Sequence, residues 1–354
     1  METGQRTENG GNYVSVSVVI PVYNCVEYTP EALESVFAQR FTDFEVVLIN
    51  DGSPDTEMLE RLIAPYQDRI VYLKQTNRGP AAARNTGIRA AKGRYIAFLD
   101  SDDRWPPEYL AAQIKLLEET PSLDLVYTDA VHFGDTPLPR KTFMQSLTPP
   151  LNFEDLLLQG SQIIPSATVV SRQMIIDTGL FDESVRGPED YDLFLRIAAQ
   201  GAKMAYQPTV PALRRLHSES LTADDMRMLE ALERVLTKLD KTLNLSKETR
   251  SLLLNRLASI RAYLYLQKGK QHLFSGNIDQ ARNYFVSANI SLRQANSRLT
   301  SPVPDSAIQA LRRAAKLRVL LWGLRTAPRA TAFGARMWEN SLLALQALKA
   351  RSHI

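Results

Sequence analysis

Two aspartates one residue apart, Asp100 and Asp102, follow an apolar segment of the sequence at 95–99 and could bind a metal ion. Carboxylates on one turn supply the oxygen ligands that Mg²⁺ or Mn²⁺ prefers, and these cations take further ligands from phosphates and water. Most acidic turns of this kind are simply solvated, so the pair alone does not establish a metal site. Asp103 follows directly, and we expect it to cap the next helix.

The elements that must position such residues alternate between strand-like and helix-like patterns over the first 220 residues. Strands are predicted at 14–22, 44–50, 70–73, 95–99 and 123–128, and helices at 30–39, 57–66, 80–91, 107–119 and 188–201. Strands separated in this way predict an α/β fold with a mostly parallel sheet and flanking helices. Ligands of such sheets bind beyond the carboxyl ends of the strands, where Asn24, Asp51 and Asp100 fall.

The stretch 133–165 contains five prolines and has no regular pattern. Long irregular loops in compact domains are usually functional or disordered. We expect this one to cover the site or to shape a groove for an acceptor.

Beyond residue 220 the strand-like patterns end. Helices are predicted at 221–245, 246–275, 279–292, 306–321 and 332–350, which indicates an all-α C-terminal domain. One hairpin, at about 262–292, has the residue types of a tetratricopeptide unit at the expected offsets, namely Tyr265, Gly269, Gly276, Asn277, Ala281, Phe285 and Ala288. A single copy is fewer than the three that such repeats usually need for stability, so the hairpin is either plain core or a partner-binding surface.

Charge is divided unevenly along the chain. Residues 1–220 contain 20 basic and 30 acidic side chains, whereas 221–354 contain 22 and 9. We therefore expect a disordered N-terminal tail at 1–13, an α/β domain at 14–220 and a helical domain at 221–354. The basic amphipathic end of the chain either lies on an anionic membrane surface or packs on the α/β domain. Nucleic-acid binding is not expected, because aromatic and basic residues are not interleaved.

Composition excludes several classes of protein. Apolar residues make up 44% and charged residues 23%, as in soluble globular proteins, and no apolar run approaches the roughly 18 residues of a membrane span. The polar N-terminus and the single cysteine, Cys25, predict a reducing cytosol. A dinucleotide-binding dehydrogenase would need G-x-G-x-x-G after the first strand, and a nucleotidyltransferase a Gly-rich basic loop. Neither follows the strand at 14–22.

Six motifs occur in a characteristic order: SVVIPVYN, FEVVLINDGSPD, NRGPAAARNTGI, YIAFLDSDD, PEDYDLFLR and HSES. In this order the sequence resembles the family 2 glycosyltransferases over about 15–220. Members of that family have the GT-A fold and transfer a sugar from a nucleotide diphosphate with inversion.

The resemblance implies a role for residues in each motif. Nucleotide-sugar binding is implied for Pro21, Tyr23, Asp51, Asn77, Gly79, Arg84 and Asp100. Asp102 and His217 are implied as ligands of Mn²⁺ or Mg²⁺. Three of these residues could instead be structural. Asp51 could cap the next helix through an Asx turn, Arg84 could form a surface salt bridge, and His217 could be a structural hydrogen-bond donor.

Asp190 matches the general base of the family, which takes the proton from the attacking hydroxyl. Glu189 and Asp192 lie beside it and could do the same chemistry. Because Asp190 lies in the first turn of a predicted helix, we expect a depressed pKa, which would weaken it as a base. A single displacement needs no protein nucleophile, so no such role is expected for Cys25.

The resemblance as a whole implies a metal-dependent inverting glycosyltransferase of the hexosyltransferase class, EC 2.4, acting in cell-surface polysaccharide or glycolipid synthesis. The favoured donor is a UDP-sugar, and the acceptor is a saccharide or a lipid-linked molecule. We expect a cytoplasmic protein, either free or peripheral to the inner face of the plasma membrane. The alternative is a catalytically silent sugar-nucleotide-binding or scaffold protein with a helical interaction domain.

Overall fold

The structure of the chain is a computed structural model that describes residues 14–134, 149, 152–160, 163–216 and 225–296. The chain is divided into two compact units, Met1–Ala223 and Asp224–Ile354, and each is described by itself. The tail predicted at 1–13, the helices predicted at 306–321 and 332–350 and the basic C-terminal region lie outside the described residues.

The first unit contains a seven-stranded sheet within the described part of the chain. Its strands are β1 (Val16–Val22), β2 (Phe44–Asn50), β3 (Val71–Lys74), β4 (Tyr95–Phe98), β5 (Leu125–Phe133), β6 (Thr168–Ser171) and β7 (Met204–Arg215). They lie in the order β3-β2-β1-β4-β6-β5-β7. The strand β6 runs antiparallel to both of its neighbours, and all other pairs are parallel. The prediction of a mostly parallel sheet is therefore confirmed.

Helices connect these strands. They are α1 (Thr29–Phe37), α2 (Thr56–Ile63), α3 (Pro80–Ala90), α4 (Tyr109–Glu119), α5 (Phe153–Gln159), α6 (Arg172–Asp177) and α7 (Glu189–Ala199). Proline in the first turn suits α1 and α3, because that turn needs no amide donor. The helix α5 is capped by the preceding residue, Asn152, whose side chain accepts a hydrogen bond from the amide of Asp155. The prediction of an irregular stretch at 133–165 is therefore wrong at α5.

Two strands, β6 and β7, are not predicted from the sequence. The strand β6 has four residues, too few for a clear pattern. The strand β7 contains Pro208 and Pro211, which normally argue against a strand. They are tolerated because β7 is the last strand of the sheet, where one side of the backbone needs no partner.

The centre of the core is β1, where Val18, Val19 and Ile20 are fully buried. Close packing there requires Gly87 of α3, because a Cβ atom at Gly87 would lie 2.4 Å from Val19 Cγ1. The helix thus lies directly against the central strand. This contact fixes the position of α3 relative to the ends of the strands.

The second unit, as described, consists of α8 (Asp225–Thr242), α9 (Lys247–Phe274) and α10 (Ile278–Asn296). The predicted hairpin falls within α9 and α10, and Ala281, Phe285 and Ala288 are fully buried between them. A Cβ atom at Gly269 would lie 2.5 Å from the Phe285 ring, so glycine allows the two helices to approach. Among the described helices, none is long and apolar enough to cross a membrane.

Candidate active site

The carboxyl ends of β2, β1 and β4 lie side by side, because β1 pairs in parallel with both of the others. The chain then continues into Asp51 after β2, Tyr23 after β1 and Asp100 after β4. The Asp51 amide donates a hydrogen bond to the Val22 carbonyl at 2.9 Å, which joins two of these ends. The structure thus brings three of the predicted site residues to one edge of the sheet.

Asp51 fixes the loop between β3 and α3, hereafter the 75–79 loop. Its Oδ1 accepts hydrogen bonds from Gln75 Nε2 at 2.7 Å and from the Arg78 amide at 3.0 Å, and its Oδ2 accepts one from the Gly79 amide at 2.8 Å. The alternative that Asp51 caps the next helix is therefore wrong. The side chain that bonds locally in this turn is that of Asn50, whose Oδ1 accepts from the Ser53 amide at 2.8 Å.

The 75–79 loop also packs against the turn after β2. A Cβ atom at Gly52, where φ is +71°, would lie 2.7 Å from the Asn77 amide nitrogen. Gly79 has a φ of +91° and open space around its Cα, so it serves the backbone conformation at the start of α3. Asn77 is exposed. The loop therefore presents backbone and an exposed amide side chain along this edge.

The end of β1 is open to solvent on one side. Pro21 is half-buried in the strand, whereas the Tyr23 side chain is 47% exposed. The next two residues, Asn24 and Cys25, have positive φ angles of 54° and 40°. Non-glycine residues in this left-handed region carry strain, which often marks functional turns. An exposed aromatic ring at this edge is suited to stacking against a planar base.

Arg84 connects two of the acidic motifs. Its Nη2 donates to Asp100 Oδ1 at 2.8 Å, and its Nη1 donates to Glu189 Oε1 at 2.9 Å. The Arg84 side chain is 6% exposed, so the alternative of a surface salt bridge is wrong. The two carboxylates raise the pKa of the guanidinium despite its burial, and Arg84 is permanently charged. Both of these hydrogen bonds are made to carboxylates of the protein itself.

The acid turn, 100–103, is fixed through its backbone and Asp103 as well as through the ion pair of Asp100 with Arg84. The Asp100 amide donates to Ser166 Oγ at 3.0 Å. Asp103 is 4% exposed, and its Oδ1 accepts from the Arg215 amide at 2.8 Å. The prediction that Asp103 caps α4 is wrong, because the residue before that helix is Glu108. Burial and the neighbouring aspartates hold the pKa of Asp103 well above its usual range.

The three carboxylates at the start of α7 differ in what surrounds them. Asp192 is fully buried and pairs with Arg196 at 2.9 Å. Glu189 is buried and pairs with Arg84, and its Oε2 has no hydrogen-bond partner among the described residues. Asp190 is half-buried, and its Oδ1 accepts from the Tyr191 amide at 2.7 Å.

The pKa of Asp190 is raised to about 7, chiefly by burial and secondly by the adjacent Glu189. The prediction of a depressed pKa is therefore wrong. Removal from water and the negative charge of Glu189 disfavour the ionised carboxylate by more than Arg84 and the Tyr191 amide favour it. A carboxylate with this pKa can take a proton near neutral pH.

Comparisons with known proteins show the family to which the chain belongs. The model of the family described as "Glycosyl transferase family 2" matches residues 17–178. A Rickettsia prowazekii protein named as an uncharacterized glycosyltransferase is 30% identical over 226 residues, which cover 62% of this chain and 69% of that protein. The chain belongs to glycosyltransferase family 2.

Two further relatives show how much of each chain is matched. The Escherichia coli UDP-Glc:alpha-D-GlcNAc-diphosphoundecaprenol beta-1,3-glucosyltransferase WfaP is 31% identical over 60% of this chain and 82% of its own. A Rickettsia conorii glycosyltransferase is 34% identical over 54% of this chain but only 31% of its own. The chain therefore spans about a third of the length of some of the curated relatives that it matches.

Solved structures show that the fold is GT-A. S. aureus TarS 1–349 superposes with a TM-score of 0.61 and 16% identity, covering 92% of this chain and 91% of that one. The mannosyltransferase PcManGT from Pyrobaculum calidifontis, solved with GDP-Man and Mn²⁺, gives a TM-score of 0.53 and 20% identity over 92% and 88%. The expected fold class, a GT-A sheet followed by C-terminal helices, is confirmed.

The acid turn has the chemistry that a divalent cation needs. Asp100 and Asp102 are half-buried and provide oxygen ligands on one turn, which fits Mg²⁺ or Mn²⁺ sharing a diphosphate. Within the described ranges, no three acidic, histidine or cysteine residues could hold a metal on their own. His217, the other predicted ligand, lies outside the described residues.

Several residues that build the site are not predicted from the sequence. Gln75 holds Asp51, and Ser166 holds Asp100 through its hydroxyl. Ser166 also accepts the Trp105 indole donor on its carbonyl at 2.6 Å. These are ordinary polar residues in loops, and only the folded chain brings them to the motifs.

Proposed function

We propose that this protein transfers a sugar from a nucleotide-diphosphate sugar to an acceptor hydroxyl, with inversion. The observation that carries the proposal is the Arg84 bridge, which connects Asp100 of the acid turn to Glu189 beside the candidate base. A donor-binding turn and a proton acceptor at fixed separation are what a single displacement requires.

Nucleotide binding is assigned to the edge formed by β1, β2 and the 75–79 loop. Pro21, Tyr23 and Asp51 would bind the base, with Asn77 and Gly79 beside them. Support comes from the exposed Tyr23 ring and from the three hydrogen bonds by which Asp51 shapes the loop.

The family resemblance implies that Arg84 contacts the nucleotide. Its burial and its two ion pairs favour a different role, in which it holds Asp100 and Glu189 at a fixed separation.

Asp190 is proposed as the general base. It is the carboxylate of the three whose side chain is neither fully buried nor paired with an arginine in the described contacts. Asp192 is occupied by Arg196, and Glu189 by Arg84. The unpartnered Glu189 Oε2 could accept a hydrogen bond from a sugar hydroxyl, which favours a binding role for that residue.

A divalent cation, Mn²⁺ or Mg²⁺, is proposed to bind at Asp102, with Asp100 close to it and His217 as a further ligand. When bound, such an ion would neutralise the charge that develops on the leaving diphosphate. The support is the pair of oxygen ligands on the acid turn and the presence of Mn²⁺ in the structure of PcManGT.

The donor is proposed to be a UDP-sugar and the acceptor a saccharide or a lipid-linked molecule, in polysaccharide or glycolipid synthesis at the cytoplasmic side of the membrane. WfaP is named for a UDP-Glc donor and a diphosphoundecaprenol acceptor, and one TarS structure holds UDP-GlcNAc. Hexosyl transfer rests on WfaP alone. The basic C-terminal region, outside the described residues, would provide contact with anionic lipid.

The experiment is an assay of nucleotide release from UDP-Glc, UDP-GlcNAc and GDP-Man with a diphosphoundecaprenol-linked saccharide as acceptor. The proposal predicts acceptor-dependent release of one nucleotide and the loss of that release in Asp190→Asn. Tight nucleotide binding without acceptor-dependent release from any donor would contradict it and favour a silent sugar-nucleotide-binding or scaffold protein.

A further inference from the structure

Arg215, the last residue of β7, contacts the acid turn at two points. Its backbone amide donates to Asp103 Oδ1 at 2.8 Å, and its Nε donates to the Asp102 carbonyl at 3.0 Å. A short bridge nearby, between Arg104 and Leu213, holds the two chain segments in antiparallel register. The end of β7 is therefore fastened to the residue that is proposed to bind the metal.

The other side of the Arg215 guanidinium is held by α1 and two aromatic rings. Its Nη2 donates to Glu31 Oε2 at 2.7 Å, and its carbon atom Cζ lies 4.3 Å from the centre of the Tyr28 ring and 4.5 Å from that of Phe133. The side chain is 12% exposed. A charged group this enclosed keeps one conformation, because leaving it would break an ion pair and two cation–π contacts.

The position of these contacts indicates what they do. Tyr28 and Glu31 follow β1, whose end is proposed to bind the base, whereas Asp102 belongs to the turn proposed to bind the diphosphate. We propose that Arg215 is a positioning residue that fixes the backbone of Asp102 relative to the nucleotide edge, and thereby sets the affinity for a metal-bound nucleoside diphosphate. The effect on affinity rests on the proposed function, but the effect on the backbone of the turn does not.

The geometry requires arginine. A guanidinium donates from Nε and Nη2 in fixed directions, to the Asp102 carbonyl and to Glu31 at once. The single ammonium of lysine has no such fork. Arg215→Lys should therefore keep the charge beside Glu31 and lose the contact with Asp102.

Arg104 provides a matched control. It pairs with the same Glu31 oxygen at 3.0 Å and lies over the same Phe133 ring at 4.3 Å. Arg104→Met thus removes an ion pair with Glu31 and a cation–π contact with Phe133. Arg215→Met removes contacts of both kinds with the same two residues, and also the cation–π contact with Tyr28 and the bond to the Asp102 carbonyl. The comparison separates general stability from positioning of the acid turn.

The test titrates UDP into the full-length protein with Mn²⁺ present and measures backbone amide exchange of the segment 99–105 without metal or nucleotide. We expect Arg215→Met and Arg215→Lys to bind UDP–Mn²⁺ about 10- to 100-fold more weakly than wild type, because loss of a residue that orients a metal ligand typically has an effect of this size. Arg104→Met should bind UDP–Mn²⁺ nearly as tightly as wild type. The 99–105 segment should exchange faster in the Arg215 variants than in Arg104→Met.

Equal affinity and equal exchange in the Arg215 and Arg104 variants would overturn the positioning role. Unchanged exchange at 99–105 in Arg215→Lys would overturn it by itself, since this measurement needs no ligand. A third result is possible, in which wild type fails to bind UDP at every Mn²⁺ concentration while exchange at 99–105 is still faster in the Arg215 variants. The proposed donor site would then be wrong, and the role of Arg215 in fixing the acid turn would stand.

Discussion

Asp190 and the two neighbouring carboxylates, Glu189 and Asp192, differ in their hydrogen-bond and ion-pair partners. Asp192 and Glu189 each pair with an arginine, so their negative charge is used within the protein. Asp190 accepts a hydrogen bond from the next backbone amide and is half-buried. At the scale of single residues, this difference in partners assigns different roles to three neighbouring acids.

Asp190→Asn is expected to lower kcat by about 10²- to 10⁴-fold, because an amide cannot accept the proton of the attacking hydroxyl. Nucleotide affinity should stay close to that of wild type, since the change adds no bulk. Steady-state kinetics and calorimetric titration measure the two effects. The control is Asp192→Asn, which breaks a buried ion pair and should instead lower the free energy of unfolding by about 3 kcal/mol. Near-full activity in Asp190→Asn would make Glu189 the candidate base.

The raised pKa of Asp190 predicts how activity and stability depend on pH. A base must be ionised, so kcat/KM should rise with pH through about 7. Because the folded pKa lies above the ordinary value of 3.8, the stability that the neutral carboxyl contributes is present below about pH 4 and lost as pH rises through about 7. The unfolding free energy of wild type minus that of Asp190→Asn should therefore decrease as pH rises from about 4 to about 7. A kcat/KM profile that is flat from about pH 5 to 8 would contradict this assignment.

At the scale of elements, the sheet edge depends on the contact between the turn after β2 and the 75–79 loop. Gly52→Ala would place a methyl group 2.7 Å from the Asn77 amide nitrogen and would displace the loop that Asp51 holds. We expect weaker nucleotide binding, together with a strain cost of about 1–2 kcal/mol for the left-handed backbone.

Gly179→Ala is the control for that strain. Gly179 has a φ of +90°, and a Cβ atom there would meet no atom within 4 Å. Its replacement should cost a similar amount of stability and leave nucleotide affinity unchanged. Thermal unfolding and calorimetric titration of both variants separate the two effects. Equal affinities in the two variants would show that the 75–79 loop does not bind the nucleotide.

The elements also show where sequence patterns lose their information. Strands such as β1 and β2 are predicted because buried parallel strands are continuous apolar runs with a polar residue after them. The strand β7 is not predicted, because its prolines are acceptable only in an edge strand. Whether a strand lies at the edge depends on the order of the whole sheet.

The same distinction applies to the site. The position of Asp51, Asp100 and Asp102 at the edge of the sheet is predictable from the sequence, because each closely follows a strand. The partners of Arg84, the raised pKa of Asp190 and the burial of Asp103 all arise from contacts made by folding, most of them between residues distant in sequence. Such contacts exist only after folding, so neither residue type nor spacing could indicate them.

At the scale of the whole molecule, the two parts of the chain differ in net charge. Acidic residues dominate 1–220 and basic residues dominate 221–354. We expect the full chain to float with vesicles that contain anionic lipid and a chain truncated to 1–305 to remain in solution, because the truncation removes nine basic residues and Trp322. Vesicles of neutral lipid are the control. Equal partitioning of both chains would contradict membrane contact through the C-terminal region.

The central claim is that the sheet edge binds a nucleoside diphosphate together with a divalent cation. Calorimetric titration of UDP, GDP, CDP and dTDP, each with and without Mn²⁺, tests it most directly. We expect UDP to bind and Mn²⁺ to strengthen its binding, since the ion would join the diphosphate to Asp102. Failure of all four nucleotides to bind, with or without Mn²⁺, would contradict it.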